Sequence, residues 1–252
     1  MLLHRLPDSR MSEVRPAWKG ATAVLMGSGP SLTREHVEMV RSACASSQAF
    51  SIAINATYLW APWADVCYFA DVKFWRWHQE GVAMPALNLT AEEVKERFAS
   101  FAGQKCSIKH GGSHVIDEAV HLLLNKGGTG NHSDGISKDP QGIATGRHSG
   151  YQALNIAILA GASKILLLGY DGTETDGRSH FHGGHPAKTP ASAYQMYREA
   201  FSKGENAIRA SGARVLNCSP GSKIKSFDQS GIEKELGLES NEGSEARISA
   251  AL

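Results

Sequence analysis

The sequence predicts an α/β protein of the Rossmann-like, doubly wound class, in which helices cover both faces of a mainly parallel sheet and a lid-like loop is inserted. Short apolar runs typical of buried strands alternate along the chain with segments whose apolar residues recur at helical spacing, and this alternation favours a parallel sheet. Polar residues follow several of the apolar runs, at the strand ends where such folds bind ligands. The chain has 252 residues, of which 42% are hydrophobic and 20% charged, which suits one large globular domain.

The first half of the chain alternates regularly between the two kinds of element. The predicted strands are 21–26, 50–54, 66–70, 84–89 and 106–109, and the predicted helices are 31–45, 73–78 and 91–100. The first strand is a compact apolar run that stops at Gly27, the second alternates up to Asn55, and the third ends at Asp71. Glu92 and Glu93 fall in the first turn of the third helix, where the helix dipole favours acidic side chains.

The second half begins with an irregular stretch. Residues 111–147 are rich in Gly, Ser, Asn, Asp and His, and a loop this long inside a compact domain is usually functional, so we expect a lid-like insertion. Regular structure is then predicted for the helix 149–160, the strand 165–169, the helix 191–210 and the strand 214–218.

These elements divide the chain into three parts. Residues 1–20 are polar and aperiodic and are expected to form a flexible N-terminal segment. Residues 21–230 are expected to form a Rossmann-like nucleotide-binding domain that contains the insertion. Residues 231–252 are expected to be a polar tail, frayed from Glu239 onward.

Charge and composition exclude several classes of protein. Lys and Arg number 26 against 25 Asp and Glu, so the formal charge of +1 gives no global basic field for nucleic acid or an anionic membrane, although a local patch is compatible with it. The apolar runs are far shorter than the roughly 20 residues that span a bilayer, and no secretory signal opens the chain. The four cysteines lie far apart without a CxxC pair, as buried thiols of a cytosolic protein do. We therefore expect a cytoplasmic protein without a membrane span.

A glycine turn, Gly27-Ser28-Gly29-Pro30-Ser31-Leu32, joins the first strand to the first helix. Glycines let the main chain turn sharply and approach a ligand, while a helix N-terminus offers N–H groups to a phosphate, and Pro30 suits a first helical turn. The turn lacks the third glycine of GxGxxG and the Gly-Lys-Ser/Thr of a P-loop, which disfavours an NAD dehydrogenase or an ordinary kinase. The pattern predicts a nucleotide-binding turn that includes Ser31, and a tight turn without a ligand is the alternative.

A histidine loop follows the strand 165–169. His180, His182 and His185 lie within six positions beside glycines, which is neither a helix face nor a core stripe. Imidazole titrates near pH 6.5 and suits a general base or acid. The His-x-His-x-x-His spacing also suits a metal ion, with Asp171 or Asp176 as a further ligand, and exposed histidines without a role are a third interpretation. The histidines interpreted as surface residues are His110, His114, His132 and His148.

The order of these motifs resembles a known superfamily. The motifs are Gly-Ser-Gly-Pro-Ser-Leu after the first strand, Asn55, Asp71, Ser149-Gly150 opening a helix, Leu168-Gly169-Tyr170-Asp171, Ser179-His180-Phe181 through Gly184-His185, and Asn217 through Ser222. Over residues 24–227 this looks like the bacterial sialyltransferases that use CMP-sialic acid. It is also similar to uncharacterised bacterial and phage proteins and to the archaeal-type 6-hydroxymethylpterin diphosphokinases, which share the GxGPSL turn.

The resemblance to the transferases implies a role for each matching residue. Gly27, Ser28 and Gly29 would hold the donor's phosphate or ribose, His185 would be the catalytic base, and Tyr170 would support the leaving phosphate. The remaining residues implied near the nucleotide are Asn55, Asp71, Ser149, Gly150 and Asp171. Among the other histidines of the loop, His180 and His182 are candidates for the same catalytic centre.

Three functions are compatible with these assignments. The leading hypothesis is a glycosyltransferase that moves a sugar from a nucleotide-sugar donor, a CMP-sugar first, to an acceptor hydroxyl; since no Asp-x-Asp occurs, no metal cofactor is expected. The second is pyrophosphate or phosphate transfer from ATP to a hydroxymethyl group, which requires Mg²⁺ with Asp71, Asp171 and Asp176 as candidate ligands. The third is a nucleotide-binding protein without catalysis. Family members often form tetramers, so the resemblance also implies a homo-oligomer.

Overall fold

In the computed structural model the described residues are 1–7, 9–109, 118–126, 135–183, 185 and 189–238. Two short antiparallel strands open the chain, β1 (Leu3–Arg5) and β2 (Ser12–Val14). The strands of the main sheet are β3 (Thr22–Met26), β4 (Ala49–Ile54), β5 (Val66–Phe69), β6 (Gln104–Lys109), β7 (Val120–Asn125), β8 (Gly142–Ile143), β9 (Lys164–Leu168), β10 (Arg214–Asn217) and β11 (Asp228–Gln229). The α-helices are α1 (Arg34–Ala45), α2 (Val72–Gln79), α3 (Ala91–Ala99), α4 (Ser149–Leu159), α5 (Ala191–Ala210) and α6 (Ile232–Leu236).

The main sheet is parallel between all the paired strands that the structure describes, in the order β11-β10-β9-β3-β4-β5-β6-β7-β8. From β3 the chain winds outward to β8, crosses back through α4 to β9 on the other side of β3, and continues to β11. The neighbours β3 and β9, with Met26 opposite Leu168, therefore lead into opposite halves of the sheet. Such a topological switch point opens a crevice beyond the strand ends, where ligands bind in this class of fold.

Helices cover both faces of this sheet. Ala23 and Leu25 of β3 belong to the apolar cluster that contains α4 and α5, whereas Val24 and Met26 belong to the cluster of α1, α2, α3 and α6. Because successive side chains of a strand point to opposite faces, a central strand with a buried helical layer on each side must be apolar throughout, as β3 is. The structure confirms the predicted Rossmann-like α/β fold. No described helix is long and apolar enough to cross a membrane.

The N-terminal 20 residues correct the prediction of a flexible segment. β1 and β2 pair with each other, and Leu3 and Val14 are buried against the cluster that contains α4. The Trp18 ring stacks on Phe50 of β4 with ring centroids 5.2 Å apart, and the main-chain N–H of Trp18 donates to the Ala160 carbonyl. Strands of three residues are too short to give a period in the sequence, which is why the segment reads as aperiodic.

The segment 111–147, predicted as a lid-like insertion, contains two strands of the main sheet where the structure describes it. β7 and β8 extend the sheet edge beyond β6, and Leu123 and Ile143 are fully buried. The rest of the insertion, 111–117 and 127–134, lies outside the described residues, as do His110, His114 and His132. The composition of the segment favours turns, which is why the strand β7 and the two-residue edge strand β8 were not predicted.

Two further predictions differ from the structure. The predicted strand 84–89 is a 3-10 turn (Pro85–Leu87) closed by a single bridge between Met84 and Leu89, because proline cannot donate to a strand ladder. The predicted tail 231–252 begins with α6, whose Ile232 and Leu236 are buried in the cluster that contains α1. Residues 239–252, including the predicted frayed end, lie outside the described residues.

Candidate functional site

The switch point opens into a cavity of about 680 Å³. Its lining includes the glycine turn after β3, the segment after β9, the first turn of α4 and the histidine loop. Two stretches about 150 positions apart in the sequence thus meet at one crevice: Ser28 lines the cavity together with His180, His182 and His185, and the Phe181 N–H donates to the Ser28 carbonyl at 3.0 Å. The volume lies within the range of about 300–1,000 Å³ for ligand pockets.

The glycines of the turn are required by close main-chain packing. The Gly29 N–H donates to the Gly169 carbonyl at 3.0 Å, and the Gly27 N–H donates to the Leu168 carbonyl at 2.8 Å. A Cβ atom on Gly29 would lie 2.0 Å from Asp171 Oδ2 and 2.5 Å from the Gly169 carbonyl oxygen, and one on Gly27 would lie 2.7 Å from the same carbonyl. The turn therefore locks the strand ends of β3 and β9 together.

Asp171 occupies the position at which a phosphate was expected. Its carboxylate accepts the Ser31 N–H at 3.0 Å and the Ser31 hydroxyl at 2.9 Å. Burial raises its pKa to about 6, against the lowering effect of the two hydrogen bonds from Ser31. Ser31 and Asp171 thus satisfy each other, and the N–H groups of Gly27, Gly29 and Ser31 already donate to protein acceptors.

The start of α1 corrects a second feature of the predicted phosphate cradle. The helix begins at Arg34, after the Thr33 hydroxyl that accepts the His36 N–H at 3.1 Å. Pro30 consequently lies before the helix and not in its first turn, so the positive end of the helix dipole is displaced from the glycines.

The opposite wall of the cavity comes from the ends of β4 and β5 and from the start of α4. Asn55, in the left-handed region at φ +53°, accepts a long hydrogen bond from the Ser149 hydroxyl at 3.4 Å. Asp71 caps α2 by accepting the Lys73 N–H at 2.7 Å, and Lys73 itself lines the cavity as an exposed cation. The predicted residues Asn55, Asp71, Ser149 and Gly150 all line the cavity.

Tyr170 is positioned differently from the expectation that it supports a leaving phosphate. Its side chain is buried, and its hydroxyl donates to the Gly150 carbonyl at 3.0 Å. Its N–H donates to the Ser219 hydroxyl at 2.8 Å, and burial raises the pKa of the phenol well above its usual value. The hydroxyl is engaged in holding α4 against the segment after β9.

The histidine loop forms a compact aromatic wall. The rings of His180 and His185 stack at 4.2 Å with an angle of 6° between their planes, and the Trp77 ring lies edge-on to His185 at 6.0 Å. His182 is buried and stacks on Trp60 at 4.8 Å. Desolvation lowers the pKa of His180 to about 4 and that of His182 to about 3, with a smaller contribution from neighbouring imidazoles. These two side chains are therefore neutral at pH 7.

A fourth imidazole completes this wall, and the sequence analysis missed it. His78 of α2 is buried and lines the cavity, and a 2.7 Å hydrogen bond joins its Nδ1 to the Tyr58 hydroxyl. Burial lowers its pKa to about 3. Its spacing from Phe74, four positions earlier on α2, is the sequence signal that places it on the inward face of the helix.

His148 corrects the interpretation of this histidine as a surface residue. Its Nδ1 accepts the Tyr151 N–H at 3.3 Å, so that it caps α4, and its ring packs on Tyr197 and Phe201. Burial lowers its pKa to about 3. Its position directly before the predicted helix was the available signal for a cap.

The candidate metal ligands are not brought together as a metal site in the described residues. Within the part of the chain that the structure describes, no group of three or more His, Cys, Asp or Glu side chains is arranged to hold a metal ion. Asp71 and Asp171, two of the candidate Mg²⁺ ligands, are engaged with Lys73 and Ser31, and Asp176 is exposed. The four cysteines are free thiols, of which three are buried.

Comparison with known proteins adds no assignment. A scan against protein-family models gives no match, and a search of curated proteins gives none either.

Proposed function

We propose that this protein transfers a sugar from a nucleotide-sugar donor, with a CMP-sugar as the first candidate, to an acceptor hydroxyl, and that His185 is the general base. The observation that carries the proposal is the meeting of the glycine turn and the histidine loop at one cavity, located at the topological switch point of the sheet. A nucleotide suits the crevice beyond the strand ends, and the imidazoles lie beside it.

The chemistry of the histidine wall supports a base. His180 is neutral at pH 7 because its pKa is lowered to about 4, and its ring stacks on His185. In the proposed step, His185 takes the proton of the acceptor hydroxyl as its oxygen attacks the anomeric carbon, and the bond from that carbon to the nucleotide phosphate breaks. General-base assistance of this kind contributes about 10²- to 10⁴-fold in rate. The His180 ring packs against the proposed base His185, and His182 packs against His180.

Positive charge at the cavity supports the departure of a phosphate. Lys73 and Arg147 are exposed and line the cavity. The Tyr170 hydroxyl donates to the Gly150 carbonyl, and the N–H groups of Gly27 and Gly29 donate to the carbonyls of Leu168 and Gly169. Charge that develops on the leaving nucleotide is stabilised by cations positioned beside it. In this proposal Lys73 and Arg147 stabilise the leaving phosphate, the role that the family resemblance gives to Tyr170 and the glycine turn.

The test measures hydrolysis and transfer of CMP-, UDP- and GDP-sugars by anion-exchange chromatography, with and without EDTA, for wild type, His185→Gln and the control His4→Gln, an exposed residue of β1. We expect turnover of at least one donor in the presence of EDTA and a loss of about 100-fold or more in His185→Gln. The affinity for CMP in titration calorimetry should be nearly unchanged in both variants.

Other outcomes assign other functions. Stabilisation against heat by ATP only when Mg²⁺ is present would favour the diphosphokinase, since a ligand that binds the native state alone raises its stability. Nucleotide binding without turnover of any donor would favour the non-catalytic protein. Activity that EDTA removes, with metal content lost in His185→Gln, would replace the general base by a metal site.

A further inference from the structure

Unsatisfied polar atoms gather at the cavity. Among the described residues, seven buried side-chain nitrogen and oxygen atoms have no hydrogen-bond partner, and four of these belong to residues that line the cavity. The four atoms are Nδ1 and Nε2 of His182, Nε2 of His148 and the hydroxyl of Tyr194. A buried polar group without a partner costs about 1–3 kcal/mol, so each such group calls for an explanation. A ligand that supplies the missing partners explains their concentration in one place.

His148 presents a donor and not an acceptor. Its Nδ1 accepts the Tyr151 N–H, and burial lowers its pKa to about 3, so the ring is neutral at pH 7. A neutral imidazole that accepts at Nδ1 carries its proton on Nε2. The unpartnered Nε2 is therefore an N–H group that requires an acceptor.

Tyr194 supplies a second donor nearby. Its side chain is at most 9% exposed and its hydroxyl is unpartnered. Both side chains contact the Tyr197 ring, whose centroid is 4.6 Å from that of His148 and 6.2 Å from that of Tyr194. Arg147 brings positive charge to the same cavity, which it lines, and its Nη1 lies 3.7 Å from Sδ of Met196 on α5.

We infer that His148, Tyr194 and Arg147 form the subsite for the phosphate of the bound nucleotide, an inference that rests on the proposed function. Two donors and a guanidinium suit a group that offers several acceptor oxygens and negative charge. The first turn of α4 adds the positive end of a helix dipole beside His148. The Asp71 carboxylate, which acts electrostatically on Tyr197, lies on the same side of the cavity as this subsite and accepts the Lys73 N–H at the start of α2.

The test compares CMP, cytidine and sodium pyrophosphate in thermal-shift and calorimetric titrations of wild type, Tyr194→Phe and His148→Asn. Asparagine is a good helix cap but lacks the Nε2–H. We expect both variants to bind CMP and pyrophosphate about 10- to 100-fold more weakly than wild type, the loss typical of a hydrogen bond to a charged group. Cytidine, which has no phosphate, should bind equally to all three proteins.

Stability without ligand separates this role from a structural one. Removing an unpartnered hydroxyl should leave the melting temperature of Tyr194→Phe unchanged or higher, while the control Tyr151→Phe, whose hydroxyl donates to the Gly135 carbonyl, should melt lower and bind CMP normally. Equal affinity of wild type and Tyr194→Phe for CMP and pyrophosphate, or no binding of either anion to wild type, would overturn the inference. Anion binding that depends on Tyr194 without turnover of any sugar donor would retain the subsite and refute the transferase.

Discussion

At the scale of single residues, Asp171 is a buried carboxylate whose protonation is linked to folding. Its pKa is raised to about 6 by burial, above the value of about 3.9 of an unfolded aspartate. The native state therefore binds the proton more tightly than the unfolded chain. The contribution of this group to stability is fully present below pH 4 and is lost as the pH rises through 6.

The asparagine variant isolates this linkage. Asp171→Asn keeps an acceptor for the Ser31 N–H but does not titrate, so its free energy of unfolding relative to wild type should rise by up to about 3 kcal/mol between pH 4 and pH 6.5 and then stay constant. Urea unfolding at several pH values measures this, with Asp176→Asn, an exposed aspartate, as the control. A difference between variant and wild type that does not change with pH would contradict the pKa of Asp171.

The sequence placed the candidate residues at one edge of the sheet but could not show what each side chain binds. Gly29, Asn55, Asp71 and His185 meet at the cavity because parallel strands end at the same edge. The pairing of Asp171 with Ser31, 140 positions apart, depends on which strands are neighbours. The order of strands in the sheet cannot be deduced from a single sequence. The sequence therefore assigned Asp171 to the nucleotide and did not reveal its hydrogen bonds with Ser31.

At the scale of elements, the ends of β3 and β9 are held together by hydrogen bonds between main-chain groups at Gly27, Gly29 and Gly169. The close packing there leaves no room for a side chain at Gly29. Gly29→Ala places a Cβ against the Gly169 carbonyl, whose position is fixed by the sheet. We expect a loss of about 1–3 kcal/mol in the free energy of unfolding, typical of overpacking. In Gly135→Ala the nearest atom to the new Cβ is Ala207 Cβ at 3.6 Å, an ordinary contact, so this control should unfold like wild type.

Urea unfolding followed by circular dichroism measures both glycine variants. Wild-type stability in Gly29→Ala would show that the turn can open without cost, and would restore it as a candidate phosphate cradle.

The long elements, such as α5, were predicted to within a residue or two because they are strongly periodic. Most elements that were missed, β1, β2, β8, β11 and α6, have two to five residues, fewer than a pattern requires, whereas the missed β7 has six and lies within the segment predicted as an insertion.

At the scale of the whole molecule, the N-terminal strands are part of the folded body. The Trp18 side chain stacks on Phe50 of the sheet and the residue is 3% exposed, while its main-chain N–H binds the Ala160 carbonyl at the end of α4. We expect Trp18→Ala to lower the free energy of unfolding by about 3–5 kcal/mol, the cost of removing a buried large aromatic side chain. Chemical unfolding is the measurement, and Arg15→Ala, an exposed neighbour, should change it little. A loss below about 1 kcal/mol in Trp18→Ala would show that the N-terminal strands contribute little.

The junction of β3 and β9 has a consequence for engineering. The base of the crevice there is built from hydrogen-bonded peptide groups of Gly27, Gly29 and Gly169, against which the Asp171 carboxylate packs. The proposed selective groups stand on α5, at the start of α4 and on the histidine loop. Because the Phe181 N–H ties the histidine loop to the Ser28 carbonyl of the glycine turn, α5 is the element to vary. Libraries that vary 189–197 and keep every glycine of the junction should yield folded proteins with altered ligand preference.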